Sequence, residues 1–184
     1  LKAPRGKVGF NGWRGQKQTH RLIATVHHMD KPIIAAVNGA ASGLGCDLAF
    51  ACDFVIAGSS ASFSMAYLKR GLIPDGGGLY FLPRRVGIAC AKELIFSART
   101  VESDEAKAIG LADRIVDDRR LLTDAVEWAR SLCLGPASAV ALSKSIMNRS
   151  VDLSLETVFA LGSEAQSICY ASDEHHDAVT AFLD

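Results

Sequence analysis

A chain of 184 residues is long enough for one medium domain, and its 20 basic and 20 acidic side chains leave no net charge at neutral pH. With 49% hydrophobic and 22% charged residues it suits a packed core, and the balanced charge excludes a nucleic-acid groove or an anionic membrane surface as its organising feature. Five scattered cysteines (Cys46, Cys52, Cys90, Cys133 and Cys169) form no Cys-x-x-Cys pair, which argues against a disulfide framework or a zinc site; reduced, buried thiols fit a cytoplasmic or organellar-matrix setting.

No apolar run reaches the roughly 18 residues of a membrane span. The opening, Leu1-Lys-Ala-Pro-Arg-Gly6, carries no initiator Met and no signal core, and reads as the interior of a longer chain. Residues 1–12, rich in Gly, Lys and Asn, predict a mobile loop. From about Arg14 to Met29 the apolar residues Leu22, Ile23, Val26 and Met29 recur at helical spacing, until Asp30-Lys31-Pro32 breaks the pattern. Ile33–Val37 is a short continuous apolar run, as in a strand buried on both faces. Asn38-Gly39 turns the chain and Gly43-Leu44-Gly45 leads into a helix over Cys46–Cys52. Strands follow at Phe54–Ala57 and, at an edge, Ala61–Ser64. A glycine-rich loop spans Gly71–Gly78, with a helix near Leu79–Val86. Beyond Ala89 the pattern is helical (about 89–97, 103–109, 119–132, 136–149, 152–170 and 173–183), interrupted by one strand at Ala112–Val116. Alternating strands and helices imply crossovers, hence an α/β fold with parallel pairing. The helical tail reads as an appendage that serves oligomerisation.

The segment from Lys31 to Asp53 carries the most chemistry. A strand ends, small residues turn the chain, and a helix begins at Gly43 and Gly45, where a ligand can approach the main chain closely. The first helical N–H groups lack partners inside the helix, and the helix dipole adds positive potential there. Such a turn binds an anion or an oxyanion as it develops; close packing of helix on strand is the competing explanation. The spacing matches neither the Gly-x-Gly-x-x-Gly dinucleotide fingerprint nor a phosphate loop.

This segment, Lys31-Pro-Ile-Ile-Ala-Ala-Val-Asn-Gly39 followed by Gly43-Leu-Gly-Cys-Asp-Leu-Ala49 and Cys52-Asp53, resembles the signature of the crotonase (enoyl-CoA hydratase/isomerase) family. The resemblance continues through Phe63–Gly78, Leu82–Gly87 and Ala106–Val116 and reaches the last helices. It implies a crotonase-like (ClpP/crotonase) spiral of ββα units over residues 1–133, with a C-terminal helical trimerisation region over 134–184. It also implies an acyl-CoA substrate, a homotrimer or hexamer, and neither a cofactor nor a metal. An oxyanion hole would use the N–H of Leu44, flanked by Gly43 and Gly45. The family's first oxyanion N–H precedes an Asp-Leu pair, of which Leu1 would be the second member.

Family hydratases carry two glutamates, at positions held here by Asp47 and Tyr67. Tyr67 cannot act as a carboxylate base. Asp75, in Gly71-Leu-Ile-Pro-Asp75, matches instead the acid of double-bond and ring-epoxide isomerases, and its motif is especially similar to that of the isomerase acting on the ring epoxide of phenylacetyl-CoA. The resemblance therefore points to Asp75, with Asp47, as catalytic acids, and to Tyr67, Met65 and Gly76 as substrate-pocket residues. One carboxylate can carry out both proton transfers of a 1,3-shift. The residues also admit plainer readings: Asp47 favours the dipole of its helix, and Pro74-Asp75-Gly76 is a common turn. A hydratase using Asp47 and Asp75 to orient water, and a non-catalytic assembly protein of the same fold, are the alternatives. A protease is disfavoured because no Ser/His pair falls at the active-site turns. His27-His28 and His175-His176 read as surface residues, since adjacent side chains diverge on a helix.

Overall fold

The computed structural model describes residues 4–183; the role expected for Leu1 lies outside the described residues. The chain divides into two compact units. The first comprises helix α1 (Arg5–His27) and residues 33–125; the second comprises residues 28–32 and those from Val126 onward.

In the first unit, strands alternate between two small sheets. β1 (Ile34–Val37), β3 (Phe54–Gly58) and β6 (Arg114–Val116) form one, in the order β1-β3-β6 and all parallel. β2 (Ala40–Ser42), β4 (Ser62–Ser64) and β5 (Thr100–Glu102) form the other, with β4 central, parallel to β2 and antiparallel to β5. Each turn of the chain lays one strand in each sheet before a helix returns it: β1 and β2 precede α2 (Leu44–Ala51), and β3 and β4 precede α3 (Gly78–Val86). Two strands and a helix per turn make the spiral of ββα units implied by the resemblance. Helices α4 (Ile88–Ser97) and α5 (Ser103–Ala108) follow.

The core gathers around β3, where Val55, Ile56 and Ala57 are inaccessible to solvent, with Phe63, Leu82, Ala106 and Leu111 packed about them. Aspartates pin the strand ends. Asp53 Oδ2 accepts the Ile33 N–H at 2.7 Å, and Asp113 Oδ2 accepts the Val55 N–H at 2.6 Å while pairing with Arg85 at 3.1 Å.

Four expectations need correction. The N-terminal segment expected as a loop is helical from Arg5 onward. Gly6, Gly9, Gly12 and Gly15 each cost the helix about 1 kcal/mol. Against this, Trp13 packs with Phe10 at 5.9 Å and lies under the Lys17 ammonium at 3.9 Å, the one-turn pairings that support a helix locally. β1, expected to be buried on both faces, is half-exposed, because among the described residues it pairs only with β3. The strand at 61–64, expected at an edge, lies between two neighbours. β2 and β5 were not expected at all; each has only three residues.

The second unit is helical. The division between units falls within α6 (Leu121–Leu132), and α7 (Ala137–Ser150), α8 (Leu155–Tyr170) and α9 (Asp173–Leu183) complete the fold. Glu174 of α9 caps α7, accepting the N–H groups of Ala137 at 3.2 Å and Ser138 at 3.1 Å. Ser154 caps α8 by accepting the Thr157 N–H at 3.2 Å. His175 stacks edge-on against Tyr170, with centroids 5.3 Å apart. No side chain of α7 or α8 is buried, and Met147, Leu155, Phe159, Ile168 and Phe182 are exposed.

Candidate active site

The strand-to-helix turn is built as its residues dictate. Gly43 takes φ 54° and ψ −115°, a backbone that a side chain would strain. Its N–H is held by Ser64 O of β4 at 2.9 Å, and its carbonyl accepts the Asp47 N–H at 3.1 Å to close the first turn of α2. Among the described residues the Leu44 N–H finds no main-chain acceptor, and Leu44 (43% exposed) and Gly45 face solvent. A free N–H at an open helix N-terminus is the arrangement that stabilises an oxyanion.

Beneath this turn lies Asp47, with no exposed surface. Its Oδ2 accepts a hydrogen bond of 2.5 Å from the Tyr67 hydroxyl. The Tyr67 ring lies over Gly43, so that a Cβ added to Gly43 would sit 3.6 Å from it. Burial pushes the Asp47 carboxyl up to about 6, and the nearby charge of Asp75 adds to the rise, while the bond from Tyr67 opposes it. The N–H groups of Gly76 and Gly78 also favour the ionised form, yet neither closes a hydrogen bond to Oδ1, which stays unpartnered. Burial, donation to Asp47 and the charges of Asp47 and Asp75 push Tyr67 far above the usual phenol range, so it remains a donor.

Asp75 sits on the loop that closes this site. The loop leaves Tyr67 through a short 3₁₀ turn (Leu68–Arg70) and passes the buried Pro74 before α3 begins. Asp75 is half-buried; its N–H bonds to Ile73 O at 2.8 Å, and its carbonyl accepts His20 Nε2 of α1 at 2.9 Å. Gly76 and Gly78 pack directly on Asp47: a Cβ on either would fall 2.5 Å from a carboxylate oxygen.

The structure thus brings Gly43, Leu44, Gly45, Asp47, Tyr67, Asp75 and Gly76 together. Three expected site residues are buried, Gly76 among them. Met65 is 3% exposed and belongs to the core, its Cε against Gly78; Asp47 lies behind the Tyr67 hydroxyl. His20 was missed. Its one signal was the spacing His20, Ile23, His27, which marks one helix face. Cys46 is packing, as its sequence context suggested: its thiol donates to Ala41 O at 3.0 Å, and burial pushes it up to about 12. Among the described residues no three His, Cys, Asp or Glu side chains gather where they could hold a metal, and no helix is long and apolar enough to cross a membrane.

Asp47 also predicts a pH dependence. Its folded value, about 6, lies above its ordinary 3.8, so the folded state holds the proton more tightly than the unfolded one. The resulting stability is complete below about pH 4 and is lost as pH rises through about 6. Denaturant titrations of the wild type relative to Asp47→Asn should show a fall of about 2–3 kcal/mol across that window. A flat difference would mean that Asp47 is ionised throughout.

A spiral of ββα turns, with a helix beginning at a glycine turn after each pair of strands in its first half, is the crotonase fold. A family model described as enoyl-CoA hydratase/isomerase matches residues 13–184, and the chain belongs to that family. It is 40% identical to a short-chain-enoyl-CoA hydratase of Clostridium acetobutylicum over 90% of this chain and 63% of that protein. It is 35% identical to the 1,2-epoxyphenylacetyl-CoA isomerase of Escherichia coli over 98% of this chain and 69% of that protein. Among solved structures, an enoyl-CoA hydratase/isomerase from Cupriavidus metallidurans superposes with a TM-score of 0.89 at 39% identity, covering 94% of this chain and 65% of that one. An enoyl-CoA hydratase from Bacillus anthracis gives 0.92 at 30%, covering 99% and 69%. The chain therefore spans about two thirds of the length of these relatives.

Proposed function

We propose that this chain forms the acyl-CoA site of a CoA-thioester isomerase in which Asp75 is the working base. One observation carries the choice over hydration: the second carboxylate, Asp47, has no exposed surface and is bonded by Tyr67, so a single carboxylate is left to meet a substrate. Hydration by two acids needs both of them at the attacking water.

The reaction is a 1,3-proton shift. The Asp75 carboxylate removes a proton beside the thioester carbonyl or at its vinylogous position, and the electron pair moves onto the thioester oxygen. The Leu44 N–H stabilises the thio-enolate; one such donor is worth ~10²–10³ in rate. The Asp75 carboxylic acid then returns the proton to a different carbon, so atoms balance without water. Opening of a ring epoxide conjugated to the thioester would draw on the same two groups. Tyr67 would form the pocket wall, with Gly76, buried in the loop that carries Asp75, and Met65 of the core supporting it from behind. The chemistry calls for no cofactor, and free cysteines fit a cytoplasmic or organellar-matrix enzyme.

Hydration is the second reading, favoured by the name of the Clostridium relative. Product analysis of the full-length protein with 2-enoyl, 3-enoyl, dienoyl and ring-epoxide CoA thioesters tests the choice. The isomerase reading expects a product of unchanged mass from at least one of them; a hydroxyacyl thioester as the sole product favours hydration.

The proposal includes a homotrimer or hexamer built on the C-terminal helices. What supports it is the absence of any buried side chain on α7 or α8, beside exposed Phe159, Ile168 and Phe182. Sedimentation at micromolar concentration should give three or six copies, and a stable monomer would contradict this part.

A further inference from the structure

We infer that His20 is a positioning residue for Asp75: it tethers the main chain of the catalytic loop to helix α1 and so fixes where the Asp75 carboxylate is presented. The inference rests on the reading of Asp75 as the base and adds the group that holds it. His20 Nε2 lies 2.9 Å from Asp75 O, across 55 residues of chain. A carbonyl oxygen only accepts, so Nε2 carries the hydrogen in this contact.

The peptide groups flanking the Asp75 Cα are thereby held from both sides. The N–H closes a tight turn on Ile73 O at 2.8 Å, and the C=O is held from outside the loop. The next residue, Gly76, packs so closely on its neighbours that a Cβ there would fall 2.5 Å from Asp47 Oδ2 and 2.7 Å from Leu44 Cδ1. The inner face of the loop is therefore stopped by Asp47 and Leu44, and the outer face is held by His20.

Helix α1 is anchored for this task by the same face. Ile23, 5% exposed, reaches within 3.4 Å of the position a Cβ would take on Gly77, and the His27 ring meets Phe81 edge-on at 5.0 Å. His20 is the last of these contacts toward the helix N-terminus. Beyond it come the glycines at 15, 12, 9 and 6, around which no atom lies within 4 Å of a would-be Cβ. The tether thus joins the well-packed half of α1 to the loop. Its absence would leave the outer face of Asp75 unsupported while the core stays intact, since the His20 side chain itself is exposed.

A misplacement of about 1 Å at a reacting group costs on the order of 10²-fold in rate. In the full-length protein, His20→Leu should therefore lower kcat about 10- to 100-fold with KM changed less than about threefold. His20→Gln supplies an amide N–H to the same carbonyl and should restore kcat to within about threefold of wild type. In an Asp75→Asn background His20→Leu should change the residual rate less than about twofold, because a positioning residue has nothing left to position. Retained kcat in His20→Leu, with Asp75→Asn inactive, would overturn the tether and leave the isomerase reading standing. His20→Gln as slow as His20→Leu would overturn it too, by showing that the imidazole itself takes part. High activity in Asp75→Asn would remove both the tether and the reading beneath it.

Discussion

Replacing Asp75 with Asn should lower kcat by about 10²–10⁴ while KM and the folded structure change little. The substitution keeps the size of the side chain and its preference for turns, so the Ile73 and His20 contacts of its main chain persist. On the proposed reading, what disappears is the one carboxylate that takes a proton from a bound thioester. The thioester oxygen still meets the Leu44 N–H, so binding survives where proton transfer does not. Steady-state kinetics on the best-used thioester decides it. A kcat near that of the wild type would return Asp75 to the role of a turn former.

Gly78→Ala should cost about 3 kcal/mol of stability, and the measured thermal midpoint should fall by roughly 6–12 °C. A Cβ at Gly78 would lie 2.4 Å from Met65 Cε, 2.5 Å from Asp47 Oδ1 and 2.9 Å from Pro74 Cβ. Real atoms do not approach so closely. Met65 is packed in the core and Asp47 is bonded by Tyr67, so making room disturbs one or the other. The strain therefore reaches the site as well as the fold. Gly39→Ala is the matched control: no atom lies within 4 Å of its would-be Cβ, and its midpoint should barely change. Equal midpoints for the two variants would mean that the Asp47, Met65 and Pro74 packing is looser than described.

Much of the parallel scaffold could be read from the sequence because it follows local rules. Val55-Ile56-Ala57 is apolar without interruption and became the buried middle strand of its sheet. Asn38-Gly39 and Gly43 mark the corners at which the chain changes sheet and enters α2. The three-residue strands Ala40–Ser42 and Thr100–Glu102 were invisible, being too short for a period and held by their partners rather than by propensity. The glycines of α1 misled for a related reason: propensity at Gly6–Gly15 disfavours a helix, while its aromatic and lysine pairs favour one.

The site divides in the same way. The strand-to-helix turn at Gly43 was visible because glycine spacing and a helix start are local, and Asp75 was singled out by its motif. The Tyr67–Asp47 bond spans 20 residues and the His20–Asp75 contact 55. No periodicity connects such pairs. Tyr67 could be named as a residue that is not an acid, but its hold on the buried Asp47 emerged only when the two were placed together in space.

On the proposed reading one accessible carboxylate moves a proton and water takes no part. That reading is tested most directly by turnover of the best-used thioester in water enriched in heavy oxygen, with the product analysed by mass spectrometry. The expected product has the same elemental composition as the substrate and is free of the heavy isotope, and Asp75→Asn should form it about 10²–10⁴ times more slowly. A 3-hydroxyacyl thioester carrying the heavy oxygen would contradict it, and would mean that Asp47 reaches the attacking water despite its burial and its bond from Tyr67.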